Sequence, residues 1–292
     1  MSFHRLLSAR LAFLACATVL LPAAFAQNSD HLWQKEYSVA GKPSLTLATG
    51  DSNVEIRSCG ECKTVRIRVE SSSNLNKFRI EESQNQDSIS FSFKDKMRLS
   101  FGLKFPQTPK VTIETPAQLD LDAHIADGKL SAGQLHGTLR IQSSDGGLFL
   151  DDLHGDLRLS SSDGDISLRN SSGALEARSS DGSMKVDGHF SSVQLHTSDG
   201  HLDLTLDAGS QITSASRIES SDGKVVIRLP RTLSADLDVS TGDGKLDCDL
   251  PLTMDNYSTK GFGAHHLHGH LNAGGAPITI HTSDGSVSIT SL

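Results

Sequence analysis

Three groups of residues in this 292-residue chain have the types and spacing to do chemistry. The first is a series of aspartates, Asp127, Asp145, Asp163, Asp181 and Asp199, each followed by glycine and each 18 residues after the last. Stacked carboxylates could gather calcium. Calcium-binding nonapeptides, however, need Gly-Gly-x-Gly-x-Asp, and here a single glycine follows the aspartate, so turn formation is the expectation. The second group is His265, His266, His268 and His270, in Gly-Ala-His-His-Leu-His-Gly-His-Leu. On a strand, His266, His268 and His270 would share one face and could hold zinc or copper. Yet Leu-His-Gly recurs at 135–137 and 153–155, which makes His268 an ordinary repeat position and a solvated loop the simpler reading. The third is Cys59-x-x-Cys62. A redox role expects a helix N-terminus to acidify the thiol. The flanking residues read as strands, so a structural disulfide across a turn is expected, leaving Cys248 free.

No Gly-x-Ser-x-Gly, His-Glu-x-x-His or phosphate-binding loop occurs, and no catalytic residue and no cofactor is assigned. A polysaccharide-cleaving β-helix enzyme is the alternative. It would need clustered carboxylates away from the turn column, or calcium with a basic residue.

The elements that must position these residues follow from the repeat. Asp-Gly returns at 222, 243 and 284 after intervals of 23, 21 and 41, the last reading as two coils with one degenerate corner. Fixed periodicity marks a repeat architecture. Each 18-residue unit splits into two nonads, such as Ser-Ser-Asp-Gly-Gly-Leu-Phe-Leu-Asp (143–151) and Asp-Leu-His-Gly-Asp-Leu-Arg-Leu-Ser (152–160), with glycine fourth and apolar residues sixth and eighth. Alternation means short strands, and the glycines mean turns. No stretch beyond the N-terminus holds a helical period.

The expected fold is therefore all-β. It is a parallel β-solenoid of about 18–23 residues per coil over 119–292, right-handed because the three-fold hexad pattern of the left-handed form is missing. Leu148, Leu150, Leu153, Leu157 and Leu159 should point inward, with Ile166 and Leu168 stacked above the first pair. Roughly nine coils at about 4.8 Å each would make a rod about 40 Å long. At each corner the glycine would supply a positive φ, while Asp and Ser bond nearby amides.

Residues 27–118 lack the repeat and read as an N-terminal antiparallel β cap over the raw end of the solenoid. A hairpin is expected around Cys59–Cys62. Alternating runs follow at Ile89, Phe91 and Phe93, and at Met97, Leu99, Phe101, Leu103 and Phe105. They suit an aromatic core or, as a second reading, an apolar partner-binding or membrane-touching strand.

Residues 1–26 carry Arg5 and Arg10, an apolar run from Leu11 to Leu21 and Ala24-Phe25-Ala26, the pattern of a signal peptide cleaved after Ala26. The sequence before Cys16 is a poor lipidation signal, and no later segment is apolar enough to span a bilayer. The mature chain should lie outside the cytoplasm, in the periplasm, at the cell surface or in the medium. Without the two leader arginines it carries about −10, which disfavours a nucleic-acid partner.

The segments Gly50–Val69, Val111–Leu130, the Ser-Ser-Asp-Gly coils, Leu229–Pro251 and Leu271–Ile289 together resemble a family of secreted bacterial adhesin-like proteins of unknown function. The resemblance implies a β-solenoid and a surface interaction or scaffold module with a glycan or protein ligand. It supplies no activity and no catalytic residue.

Overall fold

The fold was analysed in a computed structural model, which describes residues 29–96, 108–260 and 264–292, with only the backbone of 254–260 and 264. The expected signal peptide, Cys16 and the run from Met97 to Phe105 lie outside the described residues.

The strands in chain order are β1 (Leu32–Ser38), β2 (Ser44–Thr49), β3 (Asn53–Ser58), β4 (Thr64–Glu70), β5 (Phe78–Asn85), β6 (Ser88–Asp95), β7 (Lys110–Thr115) and β8 (Asp120–Ile125). Four 14-residue strands follow: β9 (Leu130–Ser143), β10 (Leu148–Ser161), β11 (Ile166–Ser179) and β12 (Met184–Thr197). The chain ends with β13 (Leu202–Leu206), β14 (Ser216–Ser220), β15 (Val225–Leu229), β16 (Ala235–Thr241), β17 (Leu246–Cys248), β18 (Leu252–Lys260), β19 (Ala264–Leu271), β20 (Pro277–Thr282) and β21 (Val287–Ser291).

These strands form a flattened parallel β-solenoid with two faces around one core. Each long strand bends in its middle and contributes to both faces. Leu148 pairs with Leu130 and Ile166, and Leu157 with Leu139 and Leu175, so β9, β10 and β11 share one register, and β12 departs from it only by a one-residue slip at its bend. Leu148, Leu150, Leu153, Leu157, Leu159, Ile166 and Leu168 are all buried, as their alternation predicts.

Face one runs β5, β6, β2, β8, the second halves of β9 to β12, then β14, β20, β16, β19 and β18. Face two runs β1, β4, β7, β3, the first halves of β9 to β12, then β13, β15, β21 and β17. In the middle, stacking order follows chain order. At both ends it does not. The β2–β3 pair lies between β6–β7 and β8–β9, and the C-terminal β20–β21 pair lies between β14–β15 and β16–β17. The last Asp-Gly interval is thus not two stacked coils: it holds the antiparallel β18–β19 pair and then a strand pair that returns into the stack. Parallel stacking also starts before residue 119, since β6, β2 and β8 are parallel neighbours, as are β7, β3 and β9.

The hairpin expected around Cys59–Cys62 does not form. β7 lies between β3 and β4, parallel to the first and antiparallel to the second. The apolar alternation of both strands is satisfied equally well by a third strand between them. Beside it, Phe78 and Phe93 stack with centroids 4.8 Å apart, and Trp33 tilts on Phe91 at 5.3 Å.

The Asp-Gly corner is built differently from the expectation. None of its glycines has a positive φ. A Cβ at Gly164 would fall 2.2 Å from the Gly146 carbonyl oxygen, and one at Gly200 would fall 2.1 Å from that of Gly182. Glycine is there because consecutive coils approach too closely for any side chain. Left-handed φ belongs to the opposite corner, at Gln134 (60°), Asp152 (58°), Asn170 (51°) and the glycines that follow them.

Candidate functional site

The aspartate series does stack in one column along the corner. Each turn is pinned by backbone bonds to the coil below: the Ser162 and Asp163 amides both donate to the Ser144 carbonyl, at 3.0 and 3.1 Å, and Ser180 and Asp181 do the same to Ser162. The local side-chain cap comes from the inward residue three before the glycine. The Gly223, Gly244 and Gly285 amides donate to Ser220 Oγ, Thr241 Oγ1 and Thr282 Oγ1, each at 3.1 Å. The carboxylates of Asp145, Asp163, Asp181 and Asp199 stand exposed and, among the described residues, make no hydrogen bond or ion pair. At the 18-residue corners the same inward hydroxyls of Ser161, Ser179 and Thr197 donate instead to the Ser144, Ser162 and Ser180 carbonyls of the coil below, at 3.3 to 3.4 Å, so no aspartate-to-amide bond forms in either kind of corner. Asp127 differs, because Asp51 of the inserted β2–β3 layer stacks against it. Burial first, then the Asp51 charge and a hydrogen bond with it, push the Asp127 carboxyl above the ordinary aspartate range.

His265 falls on the inward side of β19 with Leu267, while His266, His268 and His270 share the outward side, with Leu267 buried between the first two. They turn to separate carboxylates on β16 instead of converging. His266 Nε2 is 2.8 Å from Asp238 Oδ1, and His270 Nδ1 is 2.7 Å from Asp236 Oδ1. The His268 and His270 rings are 6.1 Å apart. The His270 hydrogen bond, then the Gly275 amide, hold Asp236 below the usual carboxylate range. Among the described residues, no group of three or more His, Cys, Asp or Glu is arranged to hold a metal ion.

Cys59 and Cys62 lie within bonding distance, their Cα atoms 5.8 Å apart, on a loop tied to the end of β7 by the Cys59 amide and Thr115 carbonyl (2.9 Å). Cys248 is half-buried on β17, and burial pushes its thiol up, away from reactivity.

A fourth feature escaped the sequence reading. On face two, the outward residues in register with Phe149 are Ser131, Ser167 and Lys185. Phe149 alone is a large hydrophobic, and it is 44% exposed, the one such residue besides the C-terminal Leu292 among the described residues. Two glycines accompany it. Gly147 occupies the place of Lys129, Asp165 and Ser183 in adjacent coils, and a Cβ there would meet the Phe149 ring at 3.1 Å. Gly133 occupies the place of Asp151 and Arg169, so the sheet lacks an outward side chain there. Gly133 and Phe149 line a trough of about 790 Å³ across β3, β9, β10, β11 and β12.

Most charges around the trough have a partner. Lys110, at 2.8 Å, and then Arg57 bridge to Glu55 and hold it below its ordinary range. Asp151 takes a 2.8 Å bond from Asn170 and lies 3.9 Å from Arg169. Asp152 lies 2.7 Å from His154 Nε2. Sequence held one signal for this site: alternation buries Leu148 and Leu150, which forces Phe149 outward.

Among curated proteins, none matches the chain. Two solved structures align along most of it. A "putative cell adhesion protein" from Clostridium sporogenes is 13% identical, with 89% of this chain and 99% of that one covered and a TM-score of 0.23. A "putative adhesin" from Bacteroides fragilis is 12% identical, covers 90% and 98%, and has a TM-score of 0.39. Neither likeness bears on what this chain does. A family model spans residues 43–290, across both inserted strand pairs and every Asp-Gly corner, and by that match the chain belongs to the Toastrack DUF4097 family.

Proposed function

We propose that this protein is a non-enzymatic interaction module acting outside the cytoplasm, which presents a rigid β-sheet face to a surface ligand. The trough on face two carries this reading. In a repeat protein the inward positions answer to packing, whereas an outward position is free to vary. Two outward exceptions in adjacent coils, Gly133 and Phe149, serve no core contact and line a concave surface, and Gly147 leaves room for the Phe149 ring. An exposed aromatic in a polar recess is a binding feature with a desolvation cost that folding alone does not require. The adhesin-like resemblance of the sequence and its leader-like N-terminus agree with a surface role. Among the described residues, no helix is long and apolar enough to cross a membrane.

The test is retention of the fluorescently labelled, purified chain on isolated bacterial envelopes and on animal-cell glycocalyx, with reducing-end release from a polysaccharide panel measured in parallel. Saturable retention without release is expected. No saturable retention, or reducing ends released in proportion to the protein, would contradict the reading.

A further inference from the structure

Resting on that reading, we infer that the trough on face two binds a neutral glycan, with a pyranose ring stacked on Phe149 and its hydroxyls bonded to the rim. Four observations select this ligand class.

The first is the aromatic ring itself. Phe149 is exposed in a polar setting, and the C–H face of a sugar is the apolar surface that can cover it while the rest of the molecule stays hydrogen-bonded. The Lys129 ammonium, 5.7 Å from the ring centroid, is the group that a stacked pyranose would displace.

The second is charge. Glu55, Asp151 and Asp152 face Arg57, Arg169 and Lys185 around the trough, three acids against three bases. Most are already engaged with a partner of opposite sign or a hydrogen-bond donor. Apart from Lys185, which has no partner among the described residues, a charged ligand would have to break existing pairs. Sugar hydroxyls donate and accept, so they can join both kinds of group without displacing either.

The third is location. The trough lies in mid-sheet, where β9, β10 and β11 are bonded to neighbours on both sides. An extended peptide binds sheets by adding to an edge, and no free backbone is offered here. Recognition must come from side chains.

The fourth is repeat distance. Gln134, Asp152 and Asn170 line up across successive strands about 4.8 Å apart. That is close to the length of one hexose in an extended chain, so consecutive sugars would meet equivalent coils. The trough is lined by successive strands from β3 to β12, which favours a polysaccharide segment over a single enclosed sugar.

The experiment measures affinities of immobilised neutral gluco-, manno- and galacto-hexasaccharides for the purified chain, beside acidic galacturonate and cationic glucosamine hexamers. At least one neutral hexasaccharide should be bound and the charged ones weakly or not at all. Phe149→Ser restores the residue found in both flanking coils and should leave the melting temperature unchanged while lowering affinity at least tenfold. Phe149→Tyr should keep the affinity, and Arg140→Ser, on the opposite face, should not alter it.

Binding of no neutral hexasaccharide at millimolar concentration overturns the ligand class, as does preference for a charged one. Equal affinity of Phe149→Ser and the parent overturns the placement. If the envelope retention described above persists in either case, the interaction module stands and only this inference fails.

Discussion

The middle and the ends of the solenoid obey different rules. From β9 to β12 each coil lies on the coil made just before it, so contacts are 18 residues apart, save for a one-residue slip where Ser171, Ser172 and Gly173 meet Gly188, His189 and Phe190. At the ends a strand pair is inserted between layers that come from distant sequence: β20 separates β14 from β16, and β2 separates β6 from β8. A run of sequential coils can add or lose a unit without changing its logic. An inserted pair cannot leave without exposing both neighbours. The insertions fasten each end of a structure that would otherwise fray from an open edge.

The largest expected effect follows from removing an insertion. Deleting 277–292 takes away Ile278, Ile280, Val287 and Ile289, all buried to within 2% exposure. At about 1.5–3 kcal/mol per buried side chain, the loss is roughly 6–12 kcal/mol, comparable with the whole stability of an ordinary domain. The truncated chain should be insoluble or should lack a cooperative thermal transition by circular dichroism. A transition close to the parent's would show that the ends are as dispensable as sequential coils.

A corner glycine in the middle comes next. Gly182→Ala places a Cβ 2.2 Å from the Gly164 carbonyl, and the coils must move apart, at a cost of about 3 kcal/mol. Gly60→Ala meets nothing within 4 Å and bears only its φ of +74°, so about 1 kcal/mol is expected. Chemical denaturation should rank them in that order. The reverse ranking would return the corner to the turn-conformation explanation.

The smallest effect lies where the two regimes touch. Asp127 belongs to the repeat and Asp51 to the inserted layer, and the raised carboxyl of Asp127 marks their contact. Because its folded pKa lies above the unfolded one, protonation favours the fold. Stability from this group is therefore present at acid pH and is lost as pH rises through the raised value. Asp127→Asn should raise the melting temperature slightly at neutral pH, and this advantage should vanish below the ordinary aspartate range. The same substitution at Asp163, deep in the sequential stretch, should change little at any pH. Equal effects at both sites would deny the contact.

Alternation of the leucines gave away the strands and their inward faces, because burial on one side imposes period two. The 18-residue interval likewise revealed the coil, since each coil must turn the same corner. The glycine's role was misread, because close approach and left-handed φ select the same residue and only coordinates separate them. The corner bonds were assigned partly to aspartate, although the buried Ser161, Ser179 and Thr197, which tie each coil to the one below, stood beside it: a polar residue at a third inward position departs from the apolar alternation. Insertion left no local mark, because β20 alternates like any sequential strand and pairing partners are a non-local choice. Phe149 was legible as an outward aromatic but was passed over as one of eleven phenylalanines.

Crosslinking tests the interleaved end most directly. Arg217 on β14 and Thr279 on β20 are outward register partners, and Asp238 on β16 is the next residue in that row. Adjacent strands are about 4.8 Å apart, within the Cα separation a disulfide accepts, and strands two apart exceed its limit of about 7 Å. In a Cys248→Ser background, Arg217→Cys with Thr279→Cys should crosslink rapidly on mild oxidation, while Arg217→Cys with Asp238→Cys should not. Efficient crosslinking of the second pair and not the first would mean that β14 stacks directly on β16, and that the C-terminal pair is not inserted.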